Sequence, residues 1–127
     1  MSVALLAEGL ELGPFALTVS EAANDRYWAG ADVEHPARRA GWLYPPMAAN
    51  LTILLVQTVL ADPLLQTAQR LECHRGARAP ADLVVEGVVT RRFVKRDREY
   101  MVVEAAVSVV GEEPLWTSVA TFTPVVR

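Results

Sequence analysis

The sequence predicts an α+β fold in which one long apolar helix is wrapped by a curved antiparallel sheet. Three observations carry this. Residues 47–61 are apolar nearly all round, the mark of a helix buried on most faces. From residue 64 onward, four strand-length segments follow one another, near 64–74, 82–95, 99–110 and 115–126. Within the third, Met101, Val103, Ala105, Val107 and Val109 alternate with Tyr100, Val102, Glu104, Ala106 and Ser108. That is a period of two, with the odd face more apolar. A sheet with one apolar face needs a cover, and only the 47–61 helix is apolar enough to provide it.

In chain order, residues 9–17 (GLELGPFAL) read as a short extended segment. Thr18-Val19-Ser20-Glu21 matches a capping box, with Glu three residues after Thr. It predicts a helix over 20–30 with Ala22, Ala23, Tyr27 and Ala31 near one face. Residues 31–46 (ADVEHPARRAGWLYPP) form a loop closed by Pro45-Pro46. Proline is favoured in a helix's first turn, where its missing N–H would be unbonded anyway. Asp62-Pro63 ends the apolar helix. Gly76 to Pro80, Lys95 to Arg98 and Gly111 to Pro114 separate the strands, charged or Gly/Pro-rich as turns should be. The last three strands are long and their turns short, which predicts an antiparallel meander.

The 127 residues suffice for one domain, taken as 1–127, with no internal repeat or low-complexity stretch. Hydrophobic residues at 52% against 21% charged support a packed core. The net charge of −3 argues against a protein whose main task is gripping a nucleic-acid backbone. A lone cysteine, Cys73, excludes an intramolecular disulfide and any multi-cysteine zinc site. Cys73 and His74 are neighbours on one strand and point to opposite faces, so they predict no metal site. The opening MSVALLAEGLELG lacks a basic n-region, and the longest apolar stretch, 51–61, is too short to span a bilayer. The expectation is a cytoplasmic protein without membrane contact. No phosphate loop, dinucleotide fingerprint or nucleophile elbow is present, and no cofactor is expected.

Several segments resemble the MaoC-like hotdog acyl-thioester hydratases and dehydratases. They are Leu12-Gly13-Pro14-Phe15, Thr18 to Glu21, Arg26-Tyr27-Trp28-Ala29, Tyr44-Pro45-Pro46-Met47 and the three closing strands from Val84 to Phe122. The similarity extends from about Gly9 to Pro124. It implies the hotdog fold, whose long central helix lies in a curved antiparallel sheet. It also implies pairing of two such units, as a homodimer or a heterodimer, with the sheets joined and substrate at the junction. Active members carry Asp-x-Asn-Pro-x-His before the central helix. Here the loop reads Asp32-Val33-Glu34-His35-Pro36-Ala37-Arg38. Anchored on the proline, His35 takes the Asn slot, Arg38 the His slot and Val33 the Asp slot, with Asp32 one residue early. A slipped alignment makes His35 the family histidine, with Asp32 three residues before it.

Such chemistry needs an acid/base pair, a dipole for the thioester oxygen and a slot for the acyl chain. His35 is the candidate general acid/base, because imidazole titrates near neutrality. Asp32 could orient it or share the proton work, and Glu34 is a weaker candidate. The alternative is that His35 and Asp32 are ordinary polar loop residues. The first backbone donors after the two prolines are the amides of Met47 and Ala48, the candidate oxyanion donors. Trp42 and Tyr44, with Trp28, could line the acyl or pantetheine slot, or simply pack. Asn50, polar on an apolar helix, needs a partner if buried and could face substrate. Arg38 is a candidate substrate contact. The run Arg91-Arg92-Phe93-Val94-Lys95-Arg96-Asp97-Arg98-Glu99 is a basic hairpin turn. It is either a solvated face or a rim meeting coenzyme A phosphates or an acidic acyl carrier protein.

The resemblance thus implies a hydratase or dehydratase acting on a 2-enoyl or 3-hydroxyacyl thioester of coenzyme A or a carrier protein. The alternatives are a non-catalytic hotdog subunit that binds the acyl chain for a catalytic partner, or a hotdog protein recruited to another acyl or polyketide reaction. Thioester hydrolysis is disfavoured, because residues 47–61 contain no Asp or Glu.

Overall fold

A computed structural model describes residues 5–31 and 34–125. The elements are β1 (Glu11–Val19), α1 (Glu21–Gly30), α2 (Pro36–Arg39), α3 (Met47–Gln57), β2 (Leu64–Cys73), β3 (Ala81–Lys95), β4 (Arg98–Val109) and β5 (Pro114–Pro124). All five strands join one antiparallel sheet in the order β1-β3-β4-β5-β2. The expected meander is β3-β4-β5. β1 flanks it beside β3 and β2 flanks it beside β5, so β1 and β2 are the two edges.

α3 lies against the inner face of this sheet. Met47, Ala48, Leu51, Thr52, Leu55 and Val56 are buried. They meet the inward rows of β3, β4 and β5, including Leu83, Val85, Met101, Val103, Trp116 and Phe122. The odd residues of β4 face inward, as their alternation predicts. One buried polar contact joins helix to sheet: Thr52 Oγ1 donates to the Ala48 carbonyl at 2.8 Å and lies 3.1 Å from Ser118 Oγ. Glycine sets how closely the sheet can wrap. A Cβ on Gly87 would sit 2.5 Å from the Glu104 carbonyl oxygen and 3.2 Å from Leu55 Cδ2. A Cβ on Gly13 would sit 2.7 Å from the Val85 carbonyl oxygen and 3.1 Å from Leu55 Cδ1. Gly13 also has φ of +77° and lies in the register shift between Leu12 and Phe15.

Four local expectations change. The N-cap of α1 is Ser20, whose hydroxyl accepts from the Ala23 amide at 3.1 Å, and not Thr18. Thr18 is the penultimate residue of β1 and donates to Asp82 at 2.7 Å, so the capping-box pattern is not used. The buried residues of α1 are Asn24 and Trp28, while Ala22 is exposed and Ala23 and Tyr27 are half-buried. The loop before α3 contains a single turn of helix, α2. Finally, α3 ends at Gln57 and is not enclosed all round: Asn50, Leu54 and Gln57 are exposed. Among the described residues, no helix is long and apolar enough to cross a membrane.

The Gly87 contact gives a direct test. Gly87→Ala forces a methyl against backbone and should lower unfolding free energy by about 2 kcal/mol. Leu55→Ala opens a cavity at the same place and should cost about 3 kcal/mol. Urea denaturation of both variants measures this, with unchanged m-values expected.

Candidate active site

The loop between α1 and α3 is anchored by one carbonyl oxygen. The backbone oxygen of Trp42 accepts from Asn24 Nδ2 and from Trp28 Nε1, both at 2.9 Å. The Asn24 Oδ1 in turn accepts from the Tyr44 amide at 3.0 Å. Asn24 and Trp28 are one helical turn apart, so both reach the loop from the same side of α1. The Leu43 amide donates to Ala77 at 2.8 Å, and Trp42 bridges Arg78, which ties the loop to the segment before β3. Neither Asn24 nor its role follows from a motif. Its signal is a polar residue four positions before a tryptophan that is itself buried.

His35 caps α2. Its Nδ1 accepts from the Ala37 amide at 3.0 Å, and Pro36 occupies the first helical position. In the neutral ring the proton is then on Nε2, so this imidazole can donate from Nε2 but its Nδ1 is engaged. The ring stacks on Trp28, with centroids 5.8 Å apart and planes 17° apart. Trp28 meets Tyr44 edge-on at 4.8 Å. The three aromatic groups thus form a continuous row from the loop to the head of α3. Asp32 lies outside the described residues, as does Val33. Glu34 is exposed and pairs with Arg39 at 3.4 Å.

Arg38 is held by Asp25 of α1 in a two-pronged pair, Nε to Oδ1 at 2.8 Å and Nη2 to Oδ2 at 3.3 Å. The hydrogen bond to Arg38 holds the Asp25 carboxyl below the ordinary aspartate range, and the same bond keeps Arg38 charged. Asp25 is the second residue the sequence does not single out, since only folding brings it to Arg38.

The expected oxyanion donors are corrected. The Met47 amide donates to the Tyr44 carbonyl at 3.1 Å and the Ala48 amide to the Pro45 carbonyl at 3.0 Å. Tight i→i+3 turns satisfy both, and both residues are buried, so neither amide is a free donor. Asn50 is exposed, not buried, and its Nδ2 donates to the Tyr27 hydroxyl at 2.9 Å. This joins α1 to the open face of α3. The Trp42 side chain is turned away from the aromatic row, packing near Gly76 with the Arg78 guanidinium 4.8 Å from its ring. At the end of β2, Cys73 is exposed and free, and the His74 Nε2 lies 2.8 Å from Thr117 Oγ1. Among the described residues, no three His, Cys, Asp or Glu side chains gather as a metal site.

No protein-family model matches the sequence, and no curated protein matches it. Solved structures do. One is a chain of the HadBC (3R-hydroxyacyl-ACP dehydratase) complex from Mycobacterium tuberculosis. It superposes with a TM-score of 0.77 over 91% of this chain and 96% of that one, at 13% identity. An (R)-hydratase from A. caviae gives 0.76 over 94% and 98%, at 14% identity. This is the hotdog fold. A MaoC-like dehydratase from Rhodospirillum rubrum shares it at 0.73 over 96% and 94%, with 20% identity. The expected hotdog architecture and the likeness to the MaoC-like proteins are therefore found in the structure. Within this hotdog framework the loop carries one imidazole and two arginines, Arg38 paired with Asp25 and Arg39 with Glu34.

Two measurements check the loop. In an NMR titration the Asp25 carboxyl should titrate below the usual aspartate range, and Arg38→Gln should return it upward. The sign follows from linkage: a depressed folded-state value means the pair helps stability above the unfolded value and loses that help as acid protonates Asp25. Asn24→Ala removes both side-chain bonds and leaves the Tyr44 amide without its side-chain acceptor. It should cost about 1–3 kcal/mol by thermal or urea unfolding.

Proposed function

We propose that this chain is a hotdog subunit of an acyl-thioester hydratase or dehydratase, acting on the 2-enoyl/3-hydroxyacyl pair. What supports it most is the fold match over nearly the whole length of an (R)-hydratase and of a dehydratase-complex chain. The His35–Trp28–Tyr44 row adds a site of the right kind, since it leads from an imidazole to the head of α3. His35 would act from Nε2 as the acid at the substrate oxygen. Asp32 would supply or steer the base. Tyr44, Asn50 and the exposed face of α3 would contact the acyl chain.

A second reading has its own observation. Arg38, in the slot that a proline-anchored alignment gives to the family histidine, is neutralised by Asp25. The His35 Nδ1 is spent on a cap, and the Met47 and Ala48 amides are spent inside the helix turn. On this reading the chain binds the acyl thioester while a second hotdog subunit supplies the missing base.

Both readings need two subunits. β2 is an edge strand of ten residues, and Leu54 on α3 and Val59 just after it are uncovered. Antiparallel pairing of two such edges would continue the sheet and cover these side chains. No membrane contact is part of the proposal, and the cytoplasm is its expected location.

Hydration of short and medium 2-enoyl-CoA, followed by loss of enoyl absorbance, separates the readings. A self-sufficient enzyme should lose about 100-fold or more in rate on His35→Ala. A partner-dependent subunit should show no turnover alone yet still bind acyl-CoA by calorimetry. In light scattering at micromolar concentration the chain should run at the mass of two subunits. A stable monomer would sink the shared-site arrangement.

A further inference from the structure

The β3–β4 hairpin carries charge that the site does not use. Five of the chain's 12 Lys and Arg residues lie between 91 and 98, in a protein of net charge −3. The register places Arg91 opposite Val102, Phe93 opposite Tyr100 and Lys95 opposite Arg98. Strand alternation puts all six on one face, the one turned away from α3, since Met101 and Val103 of the other face are buried. The rings of Phe93 and Tyr100 stack at 4.9 Å with 9° between planes, and the Arg91 guanidinium covers Phe93 at 4.8 Å. Arg92 is on the opposite face and pairs with Glu99 at 3.5 Å. Among the described residues, Arg91, Lys95, Arg96 and Arg98 have no carboxylate partner.

The tip is poorly chosen for stability alone. Arg96 and Asp97 hold φ of +52° and +61°, the region glycine and asparagine fill most readily. Lys95 and Arg98 oppose each other directly, a repulsive cross-strand pair. The patch is also bounded. Farther along the same outer face, Glu104, Glu86, Glu11 and Glu72 line a groove of about 610 Å³, with Arg70 beside Glu72 at 3.6 Å as the cation in that lining. Arg91 and Lys95 are about 13 Å apart along the strand, too far to share one phosphate. A long polyanion running on along the face would meet those glutamates. A compact protein surface with several spaced carboxylates fits the patch better than a nucleotide or a nucleic acid.

We propose that the outer face of the β3–β4 hairpin docks an acidic carrier protein that delivers the thioester, so that the natural substrate is protein-bound. This rests on the acyl-thioester reading above. Topology says which site it serves. Ala81 begins β3 beside the His35 loop, and Lys95 ends it about 45 Å farther along the strand path. In a dimer paired through antiparallel β2 edges, strand directions reverse. The hairpin of one subunit then lies at the same end of the joined sheet as the loop of the other, so of the two sites the partner's is the one at its end.

The test compares binding of a strongly acidic acyl carrier protein, by calorimetry, to the wild type, to Arg91→Gln/Lys95→Gln/Arg98→Gln and to Arg92→Gln. Circular dichroism checks folding. Docking at this face should weaken about tenfold or more in the triple variant and with added salt, and should be unchanged in Arg92→Gln. No binding by the wild type, an equal loss in Arg92→Gln, or tighter binding to a single-stranded oligonucleotide would each overturn the proposal. Turnover of 2-enoyl-CoA separates it from the reading beneath it. CoA turnover without carrier binding removes the docking proposal alone. Hairpin-dependent carrier binding with no turnover of any thioester supports docking and removes the self-sufficient enzyme.

Discussion

Leu55 is the point around which the sheet closes. Its two methyl groups lie where side chains at Gly13 and Gly87 would otherwise be, so β1 and β3 approach α3 as closely as backbone allows. Protein interiors tolerate neither gaps nor overlap, so this contact fixes the depth of the helix in the sheet. That depth sets the position of the helix's first turn, and therefore of Tyr44 and the two prolines before it. With Leu51, Leu55 and Val56 packed inward, the opposite side of α3 is left carrying Asn50, Leu54 and Gln57. The uncovered face is thus a geometric consequence of a one-sided wrap, and the proposed second subunit and acyl chain rest on it.

The loop depends on a second, polar constraint. A single carbonyl, that of Trp42, receives two side-chain donors from α1, and Asn24 returns an acceptor to the Tyr44 amide. The buried Asn24 and Trp28 side chains have no cheaper partners once water is excluded, so they hold the loop in one path. On that path His35 falls at the start of α2 and Arg38 falls beside Asp25. The chemistry left available is narrow: an imidazole that can give a proton from Nε2, and an arginine whose charge is already answered. This narrowness gives the partner-dependent reading its weight.

Charge is segregated in the same economical way. The sheet's outer face is acidic in its middle and basic at the β3–β4 tip, although the chain as a whole is weakly acidic. Segregation of this kind steers a partner and sets its orientation more than it adds stability.

Much of the fold was legible because it follows from local periodicity. Alternation in β4, the apolar run at 47–61 and the Gly/Pro or charged separators each reflect one residue's choice between core and water. The strands accordingly fall within one or two residues of their expected bounds. The apolar pattern overshoots the end of α3 because Val59, Leu60 and Ala61 remain apolar after the helix stops at Gln57, and composition alone does not mark that stop. The capping box failed because Thr18 gained a cross-strand partner in Asp82, leaving Ser20 to cap. In the site, sequence singled out His35, Arg38, Tyr44 and Asn50 as residue types able to do chemistry. It did not show that Asn24 anchors the loop, that Asp25 neutralises Arg38, or that the Met47 and Ala48 amides are already bonded. An α+β chain with a meander and an apolar helix to cover it can be read residue by residue, since each side chain declares its own preference for core or water. Which polar groups are left free to act emerges on folding, because hydrogen-bond partners come from segments distant in the chain and each bond made withdraws a donor or acceptor from catalysis.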